Sequence, residues 1–479
     1  MRYKYVVLTN TTIGAFMAVL DSNIVLIALP TITKDLNASP FEAVWIIMGY
    51  ILVNASLLLS FGRLSDMFGR VKLYNLGFAL FTAGSALCSI APSAITLVLF
   101  RLVQGSGGAL LFSNSAAILT DVFPPTERGR ALGLNQVAGT AGSVLGLALG
   151  GILAGSFLGW RSIFWINIPF GTFATVWAYF KLKEVSQPGP REKLDPLGNI
   201  LFAAGLAVSL VGLMLGALLG WSPLYIGAMA VGVLCVGGFA VAERKVRFPM
   251  MDLSLFRIRA FAAGMASNLL ASLARGGLSL VLVFYFQGVI GLDAFTAGLY
   301  LIPYSLAFVT FGPLSGYLSD RFGSRGFATA GLLTVSVALF WLGILPFGGY
   351  SEIVVPMVIA GIGGGLFVAP NVASIMNATP APRRGVASGM SSTLINAGFL
   401  LSLGIAFAVM ASSVSSNVLQ EIFSGSAVSI SPAVLDSFQG ALHGLFVLMG
   451  FVSLFAAVPA FSAKKPKLRY EAVTAPAPE

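Results

Sequence analysis

Three charged residues lie deep inside long apolar stretches of the sequence: Asp21, Arg101 and Arg275. An ionisable side chain in such a run is costly to desolvate, which makes each of them a functional candidate by default. Asp21 stands about nine residues before Pro30, and Arg101 about seven residues after Ala94. If both runs are helices, a rise of about 1.5 Å per residue puts the two at similar depth and permits a charge pair. A carboxylate held between desolvation and an adjacent guanidinium can load and release a proton. The alternative is a static pair that only fixes two helices. Other chemistries lack their residues: His443 is the single histidine, Cys88 and Cys235 sit apart in apolar runs, and no GxxxxGK[ST] phosphate loop occurs. A two-histidine metal motif, a disulfide framework and phosphate-loop chemistry are therefore not expected. Neither metal, cofactor nor enzymatic activity is expected.

The elements that position these residues follow from composition. The chain of 479 residues is 57% hydrophobic and 10% charged, far from the roughly 45–50% and 25% of soluble domains. Apolar windows long enough to cross about 30 Å of hydrocarbon recur throughout. Fourteen are expected, over about 6–30, 42–64, 72–92, 94–119, 129–155, 161–182, 196–218, 223–242, 261–288, 294–319, 326–346, 351–375, 385–411 and 438–462. Lipid offers backbone groups no partner, so these windows read as helices. The first carries Asp21 and no small-residue cleavage site, and so reads as a retained span. With a cytoplasmic N-terminus, 24 of the 28 Lys and Arg fall on inner segments, including Arg247 and the tail from Lys464 to Arg469. Only Lys34 and Arg161 fall outside. That bias places both termini in the cytoplasm and explains the net charge of +10 without nucleic acid.

The sequence also repeats itself. Gly62-Arg63-Leu64-Ser65-Asp66-Met67-Phe68-Gly69 returns as Gly316-Tyr317-Leu318-Ser319-Asp320-Arg321-Phe322-Gly323, and Arg128-Gly129-Arg130 through Gly133 returns as Arg384-Gly385-Val386 through Gly389. Two parallel six-helix repeats separated by two inserted helices account for the offset, and such repeats are an architecture of secondary transporters. The expected boundaries are 1–182 and 261–463 for the halves, 183–260 for the insert and 464–479 for a cytoplasmic tail, in an all-α integral membrane protein.

With these motifs on view, the chain resembles the fourteen-helix drug:proton antiporters of the major facilitator superfamily over essentially its whole length. Gly62 through Lys72 is similar to the superfamily's loop signature, Leu20-Asp21 through Pro30 to a first-helix signature, and Arg101 through Gly105 to a fourth-helix motif; Trp160-Arg161 with Asn167 and Pro169 is similar to the sixth-helix entry. The resemblance implies that Asp21 and Arg101 couple protons, and that Gly62, Asp66, Gly69 and Arg70, with their repeats Asp320 and Arg321, form a gating latch. In that latch Gly62 and Gly69 would allow close backbone approach, and Asp66 would face a helix N-terminus. Gly142, Gly146, Gly150 and Gly151 form a small-residue stripe suited to close helix packing. Leu147 stands where the antiporter signature has proline, which weighs against antiport.

Polar candidates for a cavity between the halves are Arg275, Gln104, Tyr50, Asn54, Asn135, Gln136, Tyr304, Asn371 and Asn396. The repeat offset sends Asp21 to Arg275, so the two could face each other across that cavity; alternatively Arg275 snorkels or binds carbonyls at a helix break near Gly276-Gly277. The expected function is a proton-coupled secondary transporter, working as a monomer in the cell membrane by alternating access and exporting small amphipathic compounds. The main rival is a symporter or uniporter of a metabolite or lipid. A non-transporting receptor or scaffold is a remote third, since the sequence offers no appended domain or long soluble loop.

Overall fold

A computed structural model describes residues 3–124, 127–185, 195–246, 249, 251–345, 349–380, 383–425 and 432–462. The expected tail, Arg247 and part of the long loop before the last span lie outside the described residues. All fourteen expected spans are present as helices: α1 Tyr3–Asp35, α2 Pro40–Phe68, α3 Arg70–Ser89, α4 Ala94–Val122, α5 Arg128–Ala154, α6 Ser162–Lys181, α7 Pro196–Leu219, α8 Pro223–Glu243, α9 Arg259–Val289, α10 Ala294–Phe322, α11 Ser324–Leu342, α12 Tyr350–Ala378, α13 Arg384–Ser413 and α14 Pro432–Ser462. The even number of crossings returns the chain to the side from which it started. The helices overrun the expected windows mainly at their ends, where polar residues such as Arg63 and Asp66 continue a helix past the apolar slab.

Local sequence sets the boundaries. Ser39 and Glu42 close a capping box at the start of α2, with Pro40 at its first position, where a missing N–H costs nothing. The abrupt turn from α2 to α3 needs Gly69, whose φ of 107° lies in the region that side chains avoid; Gly323 repeats it at φ 93° between α10 and α11. In α9 the α-helix stops at Arg275, resumes over Leu278–Phe284 and widens into a π-helical turn over Tyr285–Val289.

Small residues set the packing, because neighbouring helices in lipid gain most from close contact. A Cβ on Gly142 would meet the Phe16 carbonyl oxygen at 2.6 Å, and one on Gly146 the Leu20 oxygen at 2.8 Å. The stripe thus seats α5 on α1, while Gly151 turns to α10, where its Cβ would meet Phe295 Cα at 2.5 Å. The second half repeats the device: a Cβ on Gly398 of α13 would meet the Leu269 oxygen of α9 at 2.5 Å. The inserted α7 and α8 pack on each other, and α7 leans on α2 and α13.

Candidate functional site

Asp21 and Arg101 meet as their depths require. The Arg101 Nη1 donates to Asp21 Oδ2 at 2.5 Å, with Arg101 1% and Asp21 0% exposed. Two amides complete the shell: Gln104 Nε2 donates to Asp21 Oδ1 at 2.7 Å and Asn167 Nδ2 to the same oxygen at 2.8 Å. Gln104 in turn accepts from Arg101 Nη1 at 2.6 Å and donates to Ser85 Oγ at 2.8 Å. Arg101 Nε reaches the Ile46 carbonyl at 3.1 Å, and the guanidinium lies over the Tyr50 ring at 4.4 Å from its centroid. The cluster joins α1, α2, α3, α4 and α6, all from the first half. A buried pair survives in low dielectric only with its remaining donors and acceptors satisfied, which Gln104, Asn167 and Ile46 accomplish.

Beside this cluster lies a cavity of about 600 Å³ walled by both halves. Arg101 and Tyr50 form part of its wall, together with Asn135 and Gln136 of α5, Arg275 of α9, Tyr304 of α10 and Asn396 of α13. Three expected lining residues do not reach it. Gln104 is 0% exposed and spent within the Asp21 cluster. Asn54 is buried, accepting from Asn396 Nδ2 at 3.5 Å. Asn371 donates to the Gly264 carbonyl and to Asn268 Oδ1, inside the second half. Asp21 is also absent from the wall, because its oxygens are turned toward α4 and α6. It therefore does not face Arg275 across the cavity.

Arg275 sits at the anticipated helix break but binds no carbonyl there. Its guanidinium lies 5.3 Å from the Phe308 ring centroid, and its Nε is buried without a hydrogen-bond partner.

One end of the cavity is shut. Gln287 Nε2 donates to the Ile27 carbonyl at 2.9 Å, and Gln420, on the short helix Ser416–Phe423, donates to the Ala38 carbonyl at 2.7 Å. Phe423 of that helix stacks on Phe284 at 3.8 Å between ring centroids. A Cβ on Gly298 would meet the Leu147 carbonyl oxygen at 2.5 Å, so α5 and α10 also touch here. The halves also meet along α2 and α13, where Thr393 Oγ1 donates to the Ala55 carbonyl at 3.3 Å and, nearer the basic end, Gly389 lies against Leu59.

The loop signature is built around Arg70, which pairs with Asp66 at 2.8 Å and Asp121 at 2.7 Å. Two of its expected details differ. The α3 N-terminus receives Glu184 rather than Asp66: the Glu184 carboxylate accepts from Arg70 N at 2.8 Å and from Val71 N at 3.0 Å. Gly62 has open space where a Cβ would go, so no close approach requires it. The repeat copy differs. Among the described residues Asp320 and Arg321 form no ion pair, and Arg321 lies over Tyr317 at 4.7 Å from its centroid.

The model of the Major Facilitator Superfamily matches residues 11–243 and 264–477. The chain belongs to that superfamily. Major facilitator relatives include the riboflavin transporter RibZ of Clostridioides difficile, 32% identical over 85% of this chain and 88% of that protein. Another is the multidrug resistance protein Stp of Mycobacterium tuberculosis, 31% identical over 86% of this chain and 76% of that one. Among solved structures, an auto-inhibited POT family peptide transporter superposes with a TM-score of 0.67 at 18% identity, covering 100% of this chain and 99% of that one. This major facilitator protein is thus a multi-pass membrane transporter and not an enzyme.

Asn167, Ser85 and Glu184 were missed as site residues by sequence reasoning. Asn167 was visible only as part of the sixth-helix resemblance. Glu184 had a latent signal: a helix beginning directly after a positive-φ glycine exposes amides that need an acceptor.

Proposed function

We propose that this protein is a proton-coupled secondary transporter of small amphipathic compounds, exporting them by exchange with protons. It would work as a monomer in the cell membrane, with both termini cytoplasmic. The observation that carries this reading is the Asp21–Arg101 pair set directly behind the wall of a cavity shared by both halves. Asp21 is the proton carrier and Arg101 the transducer. Protonating Asp21 removes the counter-ion of Arg101, whose guanidinium already borders the cavity beside Tyr50, and so changes the charge that substrate meets. Because the whole cluster lies in one half, rocking of the halves alone leaves it intact; protonation supplies the change within the half.

Alternating access requires the contacts at Gln287–Ile27 and Gln420–Ala38 to break while the Arg70 latch regulates the basic end. The multidrug resistance protein among the relatives supports export. A second reading, symport or uniport of a metabolite, is favoured by Leu147 in place of the motif proline and by the riboflavin-transporting relative.

Proteoliposomes with an imposed pH gradient separate the two readings, using cationic, neutral and anionic amphiphiles with wild type and Asp21→Asn. Proton-driven movement that is lost in Asp21→Asn is the expected result. Transport indifferent to both gradient and substitution would sink proton coupling.

A further inference from the structure

We infer that Arg275 is the anion-binding pole of the central cavity, and that the substrates are amphipathic organic anions: a carboxylate or sulfonate on an apolar or aromatic body. This rests on the transport reading and narrows its substrate class. The two arginines of the wall differ in one decisive respect. Arg101 has Asp21, Gln104 and the Ile46 carbonyl. Among the described residues Arg275 has a ring face and no counter-ion: Phe308 at 5.3 Å, and a buried Nε with no partner.

Among the described residues the cavity wall contains no Asp or Glu. A guanidinium carries five donors and no acceptor; Arg275 is half-buried, and a ligand that fills the cavity beside it must supply acceptors for the donors it strips of water. A cationic ligand would meet like charge and find no carboxylate. A neutral ligand would leave the charge uncompensated. An anion supplies both the acceptor and the counter-charge, with the planar geometry that guanidinium matches best.

The remaining wall suits the body of such a molecule. Tyr50, Phe112, Tyr304 and Phe308 present rings, while Ser279 and Ser305 add hydroxyls. A volume of about 600 Å³ falls in the range that encloses a drug-sized ligand. Gly364 leaves room for the Arg275 head, since a Cβ there would meet Nη1 at 2.9 Å.

The test uses the purified full chain and three probes sharing one ring system: naphthoate, its neutral amide and naphthylmethylammonium, with affinities read by isothermal titration calorimetry. Wild type should prefer naphthoate by about tenfold or more, the scale of one charged hydrogen-bonded contact. Arg275→Gln should reduce naphthoate to the level of the amide, with an unchanged far-UV circular dichroism spectrum reporting an intact fold. Arg275→Lys should keep part of the preference. Equal binding of naphthoate and amide by wild type, preference for the ammonium, or a naphthoate preference that survives Arg275→Gln would each overturn the inference. Counterflow of naphthoate in proteoliposomes is read separately. Binding without movement would overturn the assignment of such anions as substrates and leave only the anion-binding pole standing.

Discussion

The two halves arose from one pattern yet treat charge in opposite ways. In the first, Asp21 is sealed among Arg101, Gln104 and Asn167, and no oxygen of it reaches the cavity. At the repeat-related position of the second half stands Arg275, on the cavity wall and unpaired. Ser115 and Asn135 bond to each other on the cavity wall, whereas their repeat equivalents Asn371 and Ser391 are buried and joined through Asn268. The two halves keep the packing and differ in their polar positions: one encloses an ion pair, and the other presents a fixed charge to the cavity.

The largest expected effect breaks the sealed pair. Arg101→Ala leaves Asp21 buried without its counter-ion and should cost about 3 to 5 kcal/mol. Asp21→Asn combined with Arg101→Gln should recover much of that loss, because a neutral pair has no uncompensated charge. Arg275→Gln should change stability by no more than about 0.5 kcal/mol, having no partner to strand. Melting temperatures in detergent for the four proteins test the contrast; a large loss in Arg275→Gln would mean that it is a structural charge after all.

Next come the packing glycines. Gly142→Ala and Gly398→Ala drive a methyl into the backbone oxygens of Phe16 and Leu269, at 2.6 and 2.5 Å. Backbone cannot step aside as a flexible side chain can, so each should cost about 1 to 3 kcal/mol. Gly62→Ala, with open space around it, should be neutral or slightly stabilising, since alanine favours helix. Equal losses at all three would remove the argument that Gly142 and Gly398 are set by contact.

Smaller still is the latch. Asp66→Asn disturbs the Arg70 network and should cost at most about 1 kcal/mol, because the Asp66 side chain is 57% exposed. Asp320→Asn, which breaks no ion pair among the described residues, should cost less. Transport rates of the two variants make the sharper measurement: a gate regulated at Arg70 slows with the first and not with the second.

The spans, the duplication and the Asp21–Arg101 pair were legible because each depends on spacing along one helix, and depth follows from residue count. Which face Gln104 presents was not legible. The residue lies one turn from Arg101, as expected, yet it is turned onto Asp21 and Ser85 and does not reach the cavity that Arg101 borders. That choice is set by how α4 rotates against α3, where a Cβ on Gly84 would meet Gln104 Cβ at 2.7 Å. Glu184 escaped for a related reason: its carboxylate serves amides more than a hundred residues earlier, a pairing that no local pattern encodes.

The smallest effect compares two helix caps related by the repeat. Ser39 begins α2 with Glu42 reaching back, whereas Asp293 begins α10 and takes the Thr296 hydroxyl at 2.6 Å and the amides of Phe295 and Thr296 at 2.9 and 3.1 Å. The Thr296 hydroxyl, and then its backbone amide, hold the Asp293 carboxyl below its usual value. A depressed folded value means that the charged cap contributes fully above the unfolded value of about 4. The contribution disappears as pH falls through the lower, folded one. Asp293→Ser, which copies the cap of the first half, should therefore melt slightly below wild type at neutral pH. The deficit should be about 0.3 kcal/mol after allowing for solvent screening. Acidification below about pH 4 should close the gap, because the wild-type carboxyl then loses the charge that distinguishes it from serine. A gap that persists in acid would assign the cap's advantage to its geometry rather than to its charge.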